Sequence, residues 1–313
     1  MCPSIRELFG LGTNERRIGK LEAISLAIVL CLLGCTEIAY DPPQGIHGLL
    51  YIQRGYSSVD RIDMATGVRE SIPFPAGFGR MGFVDLNMLP DKGTFLALSR
   101  PEEAYVALDL EGNLIAVAPD GFDGKTMRNL SLSPDGMSAV YFDAEGRLMF
   151  RNLASGRTKS TEFRGWSAGP RPAWIGEHAV LVHATGTTGE EPFQSWTVDQ
   201  ETGNAALFER DIVICSPYNP LLKAALCSTS DGTFFELGEG REQRVIVRRR
   251  FGMDPQPCWS PDHRWIAYTR RHDRFIAEGP RALYVMEAAT GAETQVSMDI
   301  ADSCFWVADA SSH

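Results

Sequence analysis

Short hydrophobic runs alternate with clusters of turn-forming residues along most of the chain. From Gly48 onward, segments rich in Val, Ile, Leu, Tyr and Phe are separated by Gly, Pro and Asp, as in the stretch from Leu130 to Phe142. Apolar runs of this kind between turn signals are typical of β-strands, and no long segment keeps the period of a helix. The pattern therefore predicts an all-β fold.

One turn recurs with a strand on each side of it. The clearest copies contain Ser133-Pro134-Asp135-Gly136 and Ser260-Pro261-Asp262, and a weaker copy contains Pro90-Asp91. Equivalent positions fall at residues 91, 135, 177, 218, 262 and 309, so the intervals are 44, 42, 41, 44 and 47 residues. A period near 44 leaves room for one four-stranded sheet in each repeat.

The recurring turn has a physical explanation. Pro fixes φ at the second position, Asp accepts hydrogen bonds from the following amides, and Gly tolerates the left-handed conformation in which the chain reverses. A single sheet of this kind cannot bury both of its faces alone. Neighbouring sheets must therefore stack around an axis, which is the architecture of a β-propeller.

The Ser-Pro-Asp-Gly pattern resembles the TolB-like (PD40, WD40-like) propeller repeat, and the resemblance covers nearly all of residues 48–309. Residues 303–309 read as a first strand with its turn, whereas residues 48–74 read as strands two to four without a first strand. We therefore expect a six-bladed β-propeller over 48–309, followed by a tail over 310–313. Its terminal blade is closed by strands from both ends of the chain, which leaves no free sheet edge. Seven blades is the alternative.

The N-terminal region has the order of an export signal. The apolar run from Ile24 to Gly34 has 11 residues and follows Arg16, Arg17 and Lys20. It is too short for a bilayer span, which needs about 20 residues, and the order of charge and hydrophobicity is that of a cleaved signal. We expect a signal peptide over residues 1–34. An ordinary signal with a chance cysteine and the twin-arginine route are alternatives.

This signal ends in Leu32-Leu33-Gly34-Cys35, which resembles the lipobox of bacterial lipoproteins. The resemblance implies that the Cys35 thiol carries a diacylglyceryl group and becomes the mature N-terminus, followed by a short linker within residues 35–47. Several acyl chains anchor a protein stably to a membrane. Thr36 stands where many bacteria place the Asp that retains a lipoprotein in the inner membrane. The resemblance therefore favours the outer membrane, at its periplasmic face or on the cell surface.

The charge of the chain restricts its partners. Forty acidic residues against 30 basic ones give a net charge of −10, which argues against nucleic-acid binding. One region breaks the acidic trend and predicts a docking patch for an anionic envelope ligand or an acidic protein, because Arg pairs well with phosphate and carboxylate. Its central residues are Arg248, Arg249, Arg250, Arg270, Arg271 and Arg274. The alternative is a set of solvated strand edges and loops.

Four cysteines follow Cys35, and an even number in an oxidising compartment favours disulfides. In the expected register, Cys215 and Cys227 fall on the paired first and second strands of the fifth blade. Cys258 and Cys304 fall on the first strands of neighbouring blades, which makes a second pairing conceivable but geometrically more demanding. Four buried free thiols are the alternative.

No catalytic constellation emerges from the sequence. Residues 165–169 match the Gly-x-Ser-x-Gly elbow around Ser167, but Pro170-Arg171-Pro172 follows and cannot continue as a helix interior. The histidines show no metal-ligand spacing, and no glycine-rich phosphate loop opens a helix. We therefore expect no catalytic residue, metal or cofactor.

The sequence thus predicts a non-enzymatic, membrane-anchored propeller that binds an envelope protein or anionic ligand, and that is a monomer. The loops over residues 186–191 and 272–280 are longer than their equivalents and lie opposite the Ser-Pro-Asp turns, so we expect the binding surface there. The alternative is a carbohydrate-binding or lyase-like propeller with its site at the mouth of the channel.

Overall fold

The computed structural model describes residues 40–54, 58–75, 83–89, 93–99, 103–117, 122–164, 171–184, 194–208, 212–216, 218–229, 232–238, 244–247, 257–271, 281–297 and 304–308.

The strands form six antiparallel sheets of four strands each, which we number as blades 1 to 6. Blade 1 contains, in spatial order, β24 (Cys304–Val307), β1 (Leu49–Arg54), β2 (Ser58–Asp63) and β3 (Arg69–Pro73). Blade 2 contains β4 (Phe83–Met88), β5 (Thr94–Ser99), β6 (Ala104–Asp109) and β7 (Leu114–Val117). Blade 3 contains β8 (Arg128–Leu132), β9 (Ser138–Phe142), β10 (Arg147–Asn152) and β11 (Thr158–Arg164).

The other three blades follow the same order. Blade 4 contains β12 (Ala173–Trp174), β13 (Ala179–Ala184), β14 (Gln194–Asp199) and β15 (Ala205–Phe208). Blade 5 contains β16 (Ile212–Cys215), β17 (Ala225–Thr229), β18 (Phe234–Leu237) and β19 (Arg244–Val247). Blade 6 contains β20 (Cys258–Trp259), β21 (Trp265–Arg271), β22 (Arg281–Glu287) and β23 (Glu293–Ser297). The prediction of six blades is confirmed, and the seven-bladed alternative is wrong.

The two ends of the chain meet in blade 1. Strand β24 pairs with β1 in antiparallel register, with Leu49 opposite Val307 and Ile52 opposite Cys304. The C-terminal strand therefore supplies the first strand that the N-terminal part of the chain lacks, as the sequence predicts.

Both faces of each blade are apolar because side chains alternate along the strands. In β1, Leu50 and Ile52 pack toward blade 6, whereas Tyr51 packs toward blade 2. In β21, Ile266 packs toward blade 5, whereas Ala267 packs toward blade 1. A blade thus contributes to two hydrophobic clusters, one with each neighbour.

Six hydrophobic clusters fill the six boundaries between consecutive blades. They join blades 6 and 1, 1 and 2, 2 and 3, 3 and 4, 4 and 5, and 5 and 6, so the ring closes. The first strands of neighbouring blades contact each other, which places them around the axis. Such contacts join β24 to β20, β4 to β8, and β8 to β12. The outermost strands, such as β7 and β15, are mostly exposed.

The propeller has two faces, which its connections define. The turn face carries the turns between first and second strands and between third and fourth strands. The loop face carries the connections between second and third strands and those that lead to the next blade.

The segment 40–48 packs on the turn face over the boundary between blades 6 and 1. Tyr40 and Ile46 are buried in the cluster shared by these blades, and the Trp306 indole donates a hydrogen bond to the His47 carbonyl at 2.9 Å. Gly67 has φ +75°, and a Cβ atom there would lie 2.5 Å from the Tyr40 carbonyl oxygen. The chain therefore joins the propeller beside the turn at residues 64–67. Among the described residues, no helix is long and apolar enough to cross a membrane.

Candidate functional site

The two clear Ser-Pro-Asp turns have the same hydrogen-bond network. Ser133 Oγ lies 2.6 Å from Asp135 Oδ1 and accepts a hydrogen bond from the Ser138 amide at 2.8 Å. Ser260 Oγ lies 2.6 Å from Asp262 Oδ1 and accepts from the Trp265 amide at 2.9 Å. Both serines are buried, so each turn satisfies polar groups that would otherwise be left unpaired.

The last position of this turn requires a positive φ. Gly136 has φ +70°, and His263 adopts φ +59° at the equivalent position in blade 6. Pro134 and Pro261 occupy the second turn position, as the sequence indicates. These turns therefore build the fold.

In blades 1, 3, 4 and 6, the second turn is tied to the connection that leads into the second strand. Each hydrogen bond runs from a backbone amide of the second turn to a backbone carbonyl of that connection, at 2.7–3.0 Å. The donor and acceptor pairs are Met64 and Gly48, Leu153 and Met137, Gln200 and His178, and Ala288 and Arg264. Side-chain oxygens also hold this turn, as where Asp199 Oδ1 accepts from the Thr202 amide at 2.7 Å. This hydrogen bond is the largest cause of the lowered pKa of Asp199. The turn face is thus a hydrogen-bonded, preformed surface.

A disulfide joins Cys215 to Cys227 across β16 and β17 of blade 5, where the two residues are directly opposite. The second pairing considered from the sequence is absent, because Cys258 and Cys304 are both buried free thiols. The Cys304 thiol lies 3.9 Å from the Ala267 carbonyl oxygen, and Cys258 is hydrogen-bonded with Cys304. Burial first, and then this hydrogen bond, raises the pKa of the Cys258 thiol.

An arginine outside the candidate patch links two blades that are not neighbours. Arg171 precedes β12 of blade 4, and its Nη1 donates to the Leu86 carbonyl at 2.8 Å and to Asn87 Oδ1 at 3.2 Å. Both acceptors belong to β4 of blade 2, on the far side of blade 3. The side chain is only half-buried, so this cationic group between two blades stays within reach of solvent. Local sequence signals could not have identified it, because the contact depends on the closure of the ring.

A second arginine links blade 1 to blade 6. Arg69 on β3 forms a buried ion pair with Asp60 on β2, and its Nη1 lies 3.0 Å from Ser297 Oγ on β23. No sequence pattern predicts this contact, since its partners are 9 and 228 positions away from Arg69. This pair stabilises the boundary where the ring closes.

Several predicted residues lie outside the described part of the chain. They are Cys35, Pro90, Asp91, Ser167, Arg248, Arg249, Arg250 and Arg274. The backbone of Arg270 and Arg271 ends β21 at the loop face, where these residues pair with Ala282 and Arg281. Within the described residues, no group of three or more His, Cys, Asp or Glu side chains is arranged to hold a metal ion.

Comparison with solved structures finds proteins of similar fold. No family model matches the chain, and no curated protein matches it. TolB from Acinetobacter baumannii is 14% identical, with a TM-score of 0.57, over 95% of this chain and 74% of that one. A putative TolB from Agrobacterium tumefaciens is 16% identical, with a TM-score of 0.55, over 77% of this chain and 88% of that one. The chain therefore has the fold of a TolB-like, six-bladed β-propeller.

Proposed function

We propose that this protein is a membrane-anchored, non-enzymatic propeller lipoprotein of the bacterial cell envelope that binds an envelope protein or an anionic envelope ligand. The observation that carries the proposal is the position of the Cys35 motif directly before a TolB-like propeller. The propeller is already packed at Tyr40, five residues after Cys35. An acylated Cys35 would thus hold a rigid six-bladed scaffold at the membrane.

The structure supports binding through a preformed surface. Six interlocking hydrophobic clusters hold the blades, so the connections on both faces are carried by a rigid scaffold. Such connections are where binding residues concentrate. Arg171 adds a half-buried cationic group, fixed through Nη1 by Leu86 and Asn87. A guanidinium held in this way favours a carboxylate or a phosphate.

Acylation is tested by growth with an alkyne-bearing palmitate analogue, followed by detection of the label on the purified protein. We expect the native chain to be labelled and Cys35→Ala to be unlabelled and lost from the membrane fraction. Cys31→Ala is the matched control, because it changes a cysteine inside the signal and should keep the label. Labelling of Cys35→Ala would contradict the proposal. Density fractionation of labelled cells then tests the outer-membrane location.

Partner binding is tested by crosslinking in intact cells and recovery of the protein from the membrane, with Cys35→Ala as the control. We expect one or a few envelope proteins to be recovered with the native chain and depleted with the control. Arg248→Gln, Arg249→Gln and Arg250→Gln combined should reduce this recovery if the predicted patch docks the partner. Recovery of no specific partner would count against the scaffold function. Sedimentation of the purified protein tests the predicted monomer.

A further inference from the structure

We infer that the turn face is directed toward the membrane and the loop face away from it. This inference rests on the proposed lipid anchor at Cys35 and adds an orientation to it. Three observations carry it: where the chain joins the propeller, how far the preceding residues can reach, and where exposed apolar side chains lie.

The chain joins the propeller on the turn face. Tyr40 is buried beside the turn at residues 64–67, and its carbonyl oxygen lies against Gly67. Arg264 of blade 6 borders the same segment, near Gly45. Residues 40–48 are therefore fixed on this face and do not lengthen the linker between the propeller and the lipid anchor.

The remaining linker is short compared with the propeller. Five residue steps separate Cys35 from Tyr40. A fully extended chain covers at most about 3.6 Å per residue, so these steps span at most roughly 18 Å. A six-residue strand such as β1 rises about 3.3 Å per residue, or roughly 20 Å from one face to the other. Because the linker starts on the turn face, the lipid on Cys35 therefore cannot reach past the loop face.

Exposed apolar side chains favour the same orientation. Val68, Met137 and Leu221 are 65%, 49% and 81% exposed, and all three lie in turn-face connections, on blades 1, 3 and 5. The other large exposed apolar residues of the described chain lie on the outermost strands β7 and β15. Apolar tips beside a lipid anchor can enter the bilayer interface and add to membrane binding.

The orientation leaves the loop face open to partners. The end of β21 at Arg271 and the starts of the long connections after Ala184 and Arg271 lie on this face. A lipid-anchored propeller in this orientation would present its longest loops to a partner of the envelope.

Two exposed alanines at opposite ends of β10 provide a matched pair for the test. Ala154 lies in a turn-face connection and Ala144 in a loop-face connection of blade 3. Ala154→Cys and Ala144→Cys are each labelled with a thiol-reactive fluorophore. The labelled proteins are then reconstituted in zwitterionic phosphatidylcholine and phosphatidylethanolamine vesicles that contain a headgroup-nitroxide lipid. We expect the label at 154 to lose most of its fluorescence and the label at 144 to keep most of it.

Equal quenching at the two positions, or stronger quenching at 144, would overturn the inference. A flexible Gly/Ser segment of about 30 residues inserted after Thr36 should weaken the difference, since such a linker reaches well past the propeller. Mass spectrometry of the purified protein shows whether Cys35 is acylated, so failure of the proposed anchor can be distinguished from failure of the proposed orientation. If Cys35 carries no acyl group, the proposed function fails, and coupling Cys35 to a maleimide lipid still tests the orientation with the same expected pattern.

Discussion

The ion pair between Arg69 and Asp60 offers a sharp test of how the ring closes. Arg69 Nε donates to Asp60 Oδ2 at 3.0 Å, and Arg69 Nη1 reaches Ser297 Oγ of blade 6 at 3.0 Å. The side chains of Asp60 and Arg69 are only 2% and 16% exposed. The pair is therefore largely removed from water, at the boundary between the first and last blades.

Arg69→Met should lower the free energy of unfolding by about 3–5 kcal/mol, because it removes the Arg69 guanidinium from the buried Asp60 carboxylate. Arg61→Met is the matched control, since Arg61 pairs with Glu70 across the same two strands. Those side chains are 30% and 59% exposed, and an exposed pair contributes below about 1 kcal/mol. Asp60→Asn combined with Arg69→Met should recover part of the loss, because no buried charge is then left unpaired.

Urea unfolding followed by tryptophan fluorescence measures these differences. The midpoint of Arg69→Met should shift clearly at an unchanged slope, while that of Arg61→Met shifts little. Equal shifts for the two variants would refute the conclusion that Asp60 and Arg69 form a buried ion pair at the boundary between the blades.

The recurring turn and the four cysteines of the propeller can be tested by similar measurements. Ser260→Ala should lower the free energy of unfolding by about 1–3 kcal/mol, since the Trp265 amide loses a buried acceptor. Ser155→Ala, in an exposed turn, should lower it less. Equal urea midpoints for the two variants would contradict this prediction. Cys215→Ala combined with Cys227→Ala should lower the melting temperature, because a link across 12 residues restricts the unfolded chain by about 3 kcal/mol, and an unchanged melting temperature would argue against the disulfide. Cys258 and Cys304 should resist a thiol reagent until the protein unfolds. Burial raises the pKa of Cys258 above its ordinary value of 9.0, so the thiol loses its proton at lower pH in the unfolded chain than in the folded protein. The contribution of this thiol to stability should therefore fall as the pH rises past about 9.

The architecture could be predicted because it depends on local chemistry that repeats. The turns at Ser133 and Ser260 need particular residues at fixed positions, and their spacing sets the size of a blade. The missing first strand at the N-terminus and the surplus strand at the C-terminus then predicted the closure of blade 1. Each of these signals can be read without knowing any side-chain geometry.

Contacts between distant blades could not be predicted in the same way. The pairing of Cys215 with Cys227 follows from two strands adjacent in sequence, whereas Cys258 and Cys304 lie on different blades. Strand placement brings these two thiols together, but it does not supply the Cβ geometry that a disulfide needs. Arg171 went unnoticed for a related reason, since its acceptors on β4 are 84 and 85 residues away. The arginine patch stays a prediction.

The central claim is that the two ends of the chain meet in one blade, and Ile52→Cys tests it most directly. Ile52 is opposite Cys304 in the pairing of β1 with β24, as Cys215 is opposite Cys227 in blade 5. In a Cys258→Ser background, mild oxidation should join residues 52 and 304 in one disulfide-linked peptide, found by mass spectrometry after digestion without reductant. Gln53→Cys, on the opposite face of β1, should give no such link. If Cys304 stays unlinked in the Ile52→Cys protein, the C-terminal strand does not close the ring.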